Sequence, residues 1–569
     1  MFYPKIDLKR RGWILLGVAG ILVFVLGFIG LKQTSERAGE HLGYFDLGSA
    51  AVELFHGGAR FPLTNPRYSP EAPALQIARL AAKLLLALAA VKAFSLLVLE
   101  RIAVYRFRKS REHVLILGVG RKGRSFLTNL PKKTKGNARA PAAIEKNALA
   151  EGLQEAKRSG ALVLTGTVTD SVHLEKARAI HAGVVIAVTG DDEVNIRAIM
   201  KIAQLRANLY RKGDRKLTRA RLFAHVASWE TRQMFARQPP FSMIDRATGT
   251  EALMFNIHAT AARDLIRDFA IGVRANERGS AAVRILLVAN GDFMDEFLRA
   301  AIVFCQFGNG RLPQITVLTP DNKAAASFFL RHQSVPLVAE VEFIVMEARD
   351  IPHADFESLC KGQPFQLAVF ALGDDLRTLY AARNAVGFDH GFQGKIVACL
   401  EQENKSLDDL LKGASGVQVL AAIDMAASFC RLELLETPAL EAEARALHET
   451  YCKELIARGD TVATNPSLVS WDDLPEYLRD SNRCAALHNE IKRAAVAQCH
   501  GESINNLLER LARAEHRRWM AERIMNGWRY GESKDDFRRL HPMIVPYDNL
   551  TDEQKEKDHQ IVREVLALK

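Results

Sequence analysis

One uncharged stretch near the start of the chain constrains the fold more than any other feature. Residues 12–31, GWILLGVAGILVFVLGFIGL, contain no charged side chain. An apolar helix of this length is long enough to cross the hydrocarbon core of a bilayer. A cleaved signal peptide is the alternative, but its apolar core would be shorter, and no small-x-small cleavage site follows in KQTSERAGEH. The stretch therefore predicts a retained transmembrane helix.

A second apolar segment, from about residue 74 to residue 104, is a weaker candidate because it carries Arg79, Lys83 and Lys92. Arg79 and Lys83 lie one helical turn apart, so both are expected to extend towards the lipid headgroups. Lys92 lies deeper and is expected to face protein or water. We predict a two-helix transmembrane hairpin. Its predicted boundaries are residues 1–111 for the whole region, spans at about 12–31 and 80–100, and an extracytoplasmic loop at 33–75.

Clusters of basic side chains flank the two predicted spans at about 12–31 and 80–100. They are Lys5, Lys9, Arg10 and Arg11 before the first segment, and Arg101, Arg106, Arg108, Lys109 and Arg111 in a linker after the second. The positive-inside rule then predicts a two-pass protein of the inner (plasma) membrane, with both termini and all large domains in the cytoplasm and membrane lipid as a partner. The seven cysteines include no CxxC pair, which fits reduced thiols in a cytosolic region.

The loop between the predicted spans contains GYFD at residues 43–46, which looks like the end of a potassium-channel selectivity filter. A filter needs glycine where Phe45 stands, because its carbonyl groups line the axis in conformations that other residues resist. It also needs a pore helix before it, whereas the helical pattern here comes afterwards. Asp46 is expected to cap a short interfacial or re-entrant helix. The apolar face of that helix comprises Leu47, Ala51, Leu54 and Phe55.

After the basic linker, HVLILGVGRKGRSFL combines a buried strand, a glycine-rich turn and a helix. Gly118, Gly120 and Gly123 form a GxGxxG pattern, and Glu145 follows at the end of a plausible second strand. Glycines let the backbone approach a pyrophosphate, the helix N-terminus supplies a positive dipole, and a carboxylate accepts hydrogen bonds from ribose hydroxyls. This order predicts a dinucleotide site, and a Rossmann-type lobe with an empty site is the alternative.

Short apolar strands, each followed by a helix, continue through ALVLTGTVTDSVHLEKA, AGVVIAVTGDDEVNIRAIMKIA and ARLFAHVASWE, as in a doubly wound sheet. With VLILGVGRKG, these segments make residues 112–240 resemble the TrkA-N, or RCK, nucleotide-binding domain of potassium channels and potassium-uptake regulators. The resemblance implies that NAD(H) or an adenine nucleotide binds here. The residues implied are Gly118, Gly120, Gly123, Glu145 and, in a loop near the ligand, Asp170.

No catalytic residue accompanies this predicted site. A dehydrogenase would need a proton-transfer group near the nicotinamide, and the histidine after the fifth strand, His225, is more often structural when it stands alone. Asp191, Asp192 and Asn195 match the acidic start of a helix, where helix capping explains them equally well. We therefore predict that the chain is not an enzyme, that it has no metal site, and that the nucleotide is sensed rather than consumed.

The same order of segments recurs from Val283, which indicates an internal repeat of the first lobe. The glycine pattern has become ANGDFM at residues 289–294, which retains only the central glycine, Gly291. Met294 would crowd the helix against the strand, and Asp292 would repel a pyrophosphate. We expect this second lobe to be structural or to bind a different ligand. Between the lobes, EALMFNIHATAARDLIRDF resembles the connecting helix of the same family. The predicted boundaries are 112–280 for the first lobe with this helix and 281–432 for the second.

The last third of the chain is helical and charged, with clustered tryptophan, histidine and tyrosine side chains. Such a cluster suits a pocket for a planar ligand, and the core of a small helical module is the alternative. EHRRWMAERIMNGWRYGESKDDFRRLHPMIVPYDNLTDEQKEKD resembles the RyR domain, which is repeated in ryanodine receptors and found singly in bacterial proteins. The resemblance implies a module at 433–569 with an ADP-ribose-type nucleotide as ligand. The ligand-binding residues implied are His516, Trp519, Trp528, Tyr530, Asp536, Arg539, His541 and Tyr547.

The predicted fold class is a multi-domain membrane protein with a transmembrane hairpin, two α/β Rossmann-type lobes and a mainly α-helical RyR module. A two-helix hairpin cannot enclose a pore, so conduction requires a homo-oligomer, and analogy with ring-forming lobes favours a tetramer. We expect a nucleotide-gated, channel-type protein. The alternative is a membrane-anchored nucleotide sensor that conducts no ions and signals to a separate transporter or effector. Nucleic acid is not an expected partner, because the basic runs at 101–111 and 132–139 lie near the membrane in sequence, where anionic lipid suffices.

Overall fold

The computed structural model describes residues 6–56, 71–107, 111–130, 141–150, 152–213, 217–273, 281–360, 363–386, 392–401, 420–499 and 501–567. The chain divides into two compact units. They are Met1–Ser110 with Gln154–Leu162, and Arg111–Leu153 with Val163–Lys569.

Residues 6–107 form three helices, which are α1 (Ile6–Arg37), α2 (Tyr44–His56) and α3 (Pro73–Phe107). Helices α1 and α3 each contain a stretch long and apolar enough to cross a membrane, Leu15–Arg37 and Pro73–Phe94. Helix α3 begins at Pro73, and proline is favoured at the first position of a helix. The predicted span at 80–100 lies within this helix.

Both long helices carry apolar side chains on their outer surfaces. Leu15 and Leu22 of α1 expose 68% and 65% of their surface, and Leu84 and Leu88 of α3 expose 57% and 59%. Contiguous apolar exposure of this kind is unusual on a soluble domain and suits contact with lipid.

Helix α2 packs its predicted apolar face against both long helices. Leu47, Ala51 and Leu54 are buried in a common core, and Phe55 is partly buried beside them, so the predicted face is confirmed. Asp46 was expected to cap the helix, and this expectation is wrong. The helix already begins at Tyr44, which places Asp46 inside the first turn.

The end of α1 lies directly against the start of α3. A Cβ atom on Gly30 would lie 2.4 Å from the backbone nitrogen of Leu75, so only glycine permits this approach. Thr34 Oγ1 donates a hydrogen bond to the Gly30 carbonyl oxygen over 2.7 Å and accepts one from the Ala72 backbone N–H over 3.0 Å. At the same end, Arg79 forms a 2.9 Å ion pair with Glu71.

The second unit begins with a six-stranded sheet of order β3-β2-β1-β4-β5-β6. Its strands are β1 (Val114–Leu117), β2 (Ala142–Glu145), β3 (Leu162–Thr165), β4 (Val184–Ala187), β5 (Ala220–His225) and β6 (Thr250–Phe255), and its helices are α4 (Arg121–Asn129), α5 (Gly152–Arg158), α6 (Ser171–Lys176), α7 (Asp192–Arg211), α8 (Trp229–Phe235) and α9 (Ile257–Gly272). β1 and β4 are buried along their whole length, as expected of parallel strands covered on both faces.

The expectation that residues 251–269 form one connecting helix is only partly right. Residues 250–255 are strand β6, which pairs in parallel with β5, and helix α9 begins at Ile257. Asn256 separates the two elements and caps the helix by accepting a hydrogen bond from the His258 backbone N–H over 2.7 Å.

A second six-stranded sheet follows, with order β12-β11-β10-β7-β8-β9. Its strands are β7 (Arg284–Ala289), β8 (Gln314–Thr319), β9 (Glu340–Val345), β10 (Phe365–Ala371), β11 (Phe392–Leu400) and β12 (Leu420–Asp424), and its helices are α10 (Gly291–Phe304), α11 (Ala324–Arg331), α12 (Phe356–Cys360), α13 (Asp375–Val386) and α14 (Met425–Phe429). The strands take the same spatial order as in the first sheet, so the predicted internal repeat is confirmed at the level of topology.

The remaining described residues are mainly helical, as predicted. The helices are α15 (Leu432–Glu436), α16 (Pro438–Ala457), α17 (Glu476–Gln498), α18 (Ile504–Met525) and α19 (Asp552–Ala567), and a short pair of strands, β13 (Arg529–Tyr530) and β14 (Leu540–His541), follows α18. This C-terminal module contacts the first lobe through a buried ion pair between Arg479 of α17 and Glu251 of β6, 3.0 Å apart.

Candidate functional site

The conformation of the turn between β1 and α4 depends on its glycines. Gly118 has a φ of +95°, a left-handed conformation that favours glycine. A Cβ atom on Gly123 would lie 2.0 Å from the Gly118 carbonyl oxygen, so a side chain there would push the helix off the turn. A Cβ atom on Gly120 would meet no atom within 4 Å among the described residues. The three glycines therefore keep the backbone exposed at the N-terminus of α4.

Glu145 lies beside this turn, at the end of β2, as its spacing predicted. Its Oε2 accepts a hydrogen bond from the Val119 backbone N–H over 2.7 Å, and its Oε1 accepts one from the Asn147 backbone N–H over 3.0 Å. The carboxylate is therefore held in place by the turn itself. Its role as a ribose ligand stays a prediction.

The other acidic residues singled out in the first lobe have structural roles in the helices they precede. Asp170 caps α6 by accepting a hydrogen bond from the Val172 backbone N–H over 3.0 Å, and it lies 2.8 Å from His173 Nδ1. Asp191 caps α7 in the same way. Asp192 accepts hydrogen bonds from the backbone N–H groups of the loop after β5, and Asn195 donates to the His225 carbonyl oxygen.

Two cationic side chains on the first turn of α4 were not identified from the sequence. Lys122 Nζ lies 3.1 Å from Nε2 of His225, at the end of β5. Burial lowers the pKa of Lys122, and burial together with that neighbouring cation lowers the pKa of His225 to about 2. His225 is therefore a neutral acceptor for the lysine. The signal was present within the glycine motif, because Lys122 directly precedes Gly123.

Arg121 forms an ion pair with Glu401, which follows β11 of the second lobe. His258, at the start of α9, lies 3.7 Å from the same carboxylate. The neighbouring His258 and the Arg121 guanidinium hold the pKa of Glu401 below its usual range. The carboxyl-terminal edges of the two sheets therefore contact each other beside the glycine turn. No sequence pattern indicates this contact, because its partners are far apart in the chain.

The matching turn of the second lobe is followed by two buried side chains in the first turn of α10. Phe293 and Met294 are buried, with 5% and 4% of their surfaces exposed. The Phe293 ring lies edge-on to the His258 ring of the first lobe, with centroids 5.9 Å apart. Gly291 retains a positive φ of +57°. A Cβ atom on Gly291 would meet no atom within 4 Å among the described residues, so the turn differs from that of the first lobe mainly at Met294, which replaces Gly123.

The C-terminal module contains a cavity of 610 Å³. Five of the eight predicted ligand-binding residues line it, and they are His516, Trp519, Trp528, Asp536 and His541. The rings form one contiguous cluster. His541 lies 4.9 Å from Trp519 and 6.1 Å from Trp528, and His516 stacks on Trp519 at 5.8 Å between centroids. Burial lowers the pKa of His541 to about 4, so its ring is neutral at pH 7.

The other three predicted residues do not line this cavity. Tyr530 lies in β13 and exposes 54% of its surface. Arg539 Nη1 donates a hydrogen bond to the Asn526 carbonyl oxygen over 2.8 Å. Tyr547 is buried in the core of the module, where its hydroxyl lies 3.1 Å from His559 Nε2. The structure gives Tyr547 a packing role, in keeping with the alternative of a module core.

The sequence did not predict the residues that form the opposite wall of the cavity. It comes from α16 and α17 and includes Tyr451, Tyr477 and Asn482. Basic side chains also line the cavity, namely Arg458, Arg518, Arg523, Lys534 and Lys557. The Arg523 guanidinium lies 5.8 Å from the Trp519 ring centroid and 5.4 Å from that of Trp528, close enough for cation–π contact.

Comparisons with known proteins fit this geometry. Residues 114–225 match the model of the TrkA-N domain, and residues 500–568 match the model of the RyR domain. The crystal structure of GsuK bound to ADP is 13% identical to this chain, covers 75% of this chain and 96% of its own, and superposes with a TM-score of 0.36. The GsuK channel is 12% identical, with coverage of 77% and 85% and a TM-score of 0.37. The family matches identify residues 114–225 as a TrkA-N domain and residues 500–568 as a RyR domain, as the sequence resemblance predicted.

Proposed function

We propose that this protein is a nucleotide-gated, channel-type membrane protein. Its TrkA-N and RyR domains would sense nucleotides and control ion movement through an oligomeric pore. The observation that carries the proposal is a glycine turn hydrogen-bonded to Glu145, in a TrkA-N domain that follows two apolar helices in the chain.

The first lobe supplies the groups that NAD(H) or an adenine nucleotide requires. The open backbone at Gly120 and the N-terminus of α4 would bind the diphosphate. The Glu145 carboxylate would accept hydrogen bonds from the ribose hydroxyl groups. The other carboxylate oxygen of Glu145, Oε1, accepts a hydrogen bond from the Asn147 backbone N–H. Domains of the TrkA-N family bind these nucleotides, and the residues present fit them.

The aromatic cavity of the C-terminal module suits an ADP-ribose-type nucleotide. Trp519 and Trp528 offer ring faces for a base, and Arg458, Lys534 and Lys557 offer charge for a diphosphate. A volume of 610 Å³ is within the usual range for sites that hold molecules of this class.

The membrane region requires an assembly. Two spanning helices do not enclose a pore, so we propose a homo-oligomer, with a tetramer favoured, in which α1 and α3 contact neighbouring copies and lipid. Both termini and the large domains would lie in the cytoplasm. Nucleotide binding controls such a pore only if the ligand binds the open and closed assemblies with different affinities.

A flux assay in liposomes tests the proposal. The full-length protein is reconstituted and ion flux is measured with and without NAD, NADH, ATP and ADP. We expect flux that changes with at least one nucleotide. A correctly assembled oligomer that conducts no ion under any ligand would overturn the channel function. If it still bound nucleotide, that result would favour a membrane-anchored sensor that signals to a separate transporter or effector.

A further inference from the structure

A second cavity, of 280 Å³, lies where the first lobe, the second lobe and the C-terminal module meet. Six arginines line it, and they are Arg232, Arg237, Arg263, Arg299, Arg523 and Arg539. It is distinct from the glycine turn and from the aromatic cavity, although Tyr477, Arg523 and Trp528 line both cavities. Neither family match assigns a ligand to this junction, because the arginines come from all three parts of the unit.

The acidic side chains at the junction compensate only part of this positive charge. Four carboxylates line the cavity, on Glu296, Glu476, Asp480 and Glu522. Glu476 already pairs with Arg479 and Arg483, each 2.7 Å away and outside the cavity lining. Asp480 lies 3.9 Å from Arg483. Glu296 forms an ion pair with Arg232, and Glu522 lies 3.8 Å from Arg523. Four carboxylates therefore face six guanidinium groups, and two of the four also pair with arginines outside the lining.

Arg299 shows the imbalance most clearly. It lies on α10 with its guanidinium 4.8 Å from the Trp229 ring centroid, and it donates to the Met525 carbonyl oxygen. Its Nε is buried without a hydrogen-bond partner among the described residues, and the nearest carboxylate, Glu296, is 3.8 Å away. Burial lowers the pKa of Arg299 to about 10 even though Glu296 opposes the shift. A buried cation in this state is stabilised when an anion supplies the missing acceptor.

Two neighbouring arginines, Arg237 and Arg539, contact neutral partners, whereas Arg523 lies 3.8 Å from the Glu522 carboxylate. Arg237 donates to the Asp536 carbonyl oxygen over 3.0 Å and lies 5.3 Å from the Tyr477 ring centroid. Arg539 bonds a carbonyl oxygen, and Arg523 Nε is buried without a hydrogen-bond partner in the part of the chain that the structure describes. Guanidinium groups match phosphate oxygens in geometry and charge better than ammonium groups do.

We propose that this junction cavity binds a small phosphate-bearing anion, either the free ion or a phosphate monoester, which joins the two lobes to the C-terminal module. Each part contributes at least one arginine to the anion. The bound anion therefore stabilises the arrangement in which all three parts meet.

Calorimetry on the full-length protein in detergent tests this site, with inorganic phosphate and ribose 5-phosphate as separate probes at low salt. We expect one binding event per chain with at least one probe, weakened by added sodium chloride. Tighter binding of ribose 5-phosphate identifies a phosphate ester as the preferred form, and equal binding identifies the free ion. Arg263→Met and Arg299→Met should each weaken binding about tenfold or more, since each removes a charge-assisted hydrogen bond.

Three further variants keep the result decisive. Arg299→Lys retains the charge and should bind phosphate more tightly than Arg299→Met. This difference shows whether weaker binding comes from the lost charge or from misfolding. Arg349→Met, at an arginine that exposes 82% of its side chain, should bind as the wild type does. Gly120→Leu should also leave phosphate binding unchanged. The proposal is wrong if the wild type binds neither probe, if Arg263→Met and Arg299→Met bind as tightly as the wild type, or if Gly120→Leu alone abolishes binding.

Discussion

The two lobes share one strand order but differ at the turn where a Rossmann-type sheet binds its ligand. In the first lobe, Gly123 permits α4 to lie against the Gly118 carbonyl oxygen, and Gly120 leaves open space. In the second lobe, Gly291 matches Gly120 and also leaves open space, whereas a buried methionine, Met294, stands where Gly123 is in the first lobe. A doubly wound topology is therefore retained without the complete glycine pattern, because the strand order depends on buried apolar strands and the pattern depends on a few glycines.

Exchanging the residues at the matched turn position should have the largest effect. Gly123→Met places a side chain against the Gly118 carbonyl oxygen and should destabilise the first lobe by more than about 3 kcal/mol. Met294→Gly leaves a void in the second lobe and should destabilise it by about 3–5 kcal/mol. Hydrogen–deuterium exchange of the β1 and β7 amides measures each lobe separately. Gly120→Ala is the control, with an expected change of under about 1 kcal/mol. Unchanged protection of β1 in Gly123→Met would contradict the packing described for this turn.

The two lobes also differ at the end of the fifth strand of each sheet. In the first lobe β5 ends at His225, and in the second lobe Glu401 follows β11. Folding lowers the pKa of His225 to about 2, so below pH 6.5 the unfolded chain takes up a proton that the folded lobe does not. The neutral histidine should therefore cost the first lobe about 2 kcal/mol of stability at pH 5 relative to pH 7.5. Amide exchange of β5 at the two pH values measures this loss.

His225→Gln should reduce that acid loss in the first lobe and leave the second lobe unchanged. The second lobe has its own buried histidine, His332, whose pKa burial lowers to about 4. An acid loss of the same size in the first lobe of wild type and variant would show that His225 is not the group responsible.

The ion pair between the lobes should have the smallest effect. Arg121 and Glu401 expose 38% and 35% of their side chains, so solvent screens their attraction. A double-mutant cycle with Arg121→Gln and Glu401→Gln should give a coupling free energy of about 0.5–1 kcal/mol. A coupling near zero would mean that the carboxyl-terminal edges are held together by apolar contacts such as Phe293 against His258.

Local sequence patterns predicted the glycine turn, Glu145 and both sheets, because each depends on residues close together in the chain. The start of the connecting helix was assigned wrongly, since Glu251, Ala252 and Leu253 favour helix by themselves. Pairing with β5 outweighs that preference and makes these residues the edge strand β6.

Sites built from distant segments could not be predicted. The aromatic cavity has one wall in the RyR domain and the other in α16 and α17, so the sequence indicated only the first wall. Tyr547 was assigned to the same site because aromatic residues in a motif suit a core as well as a ligand. The junction arginines come from three regions of the chain, and no local spacing relates them.

Nucleotide protection of the first turn tests the central contrast between the lobes most directly. Amide exchange is measured across residues 114–129 and 284–304 of the full-length protein, with and without NAD, NADH, ATP and ADP. We compare the wild type with Gly120→Leu and with Gly291→Asn, in which asparagine tolerates the positive φ of the matched position. We expect at least one nucleotide to protect residues 114–129 in the wild type and in Gly291→Asn, but not in Gly120→Leu. Equal protection in all three proteins, or no protection of this turn in the wild type by any nucleotide, would contradict a nucleotide site in the first lobe.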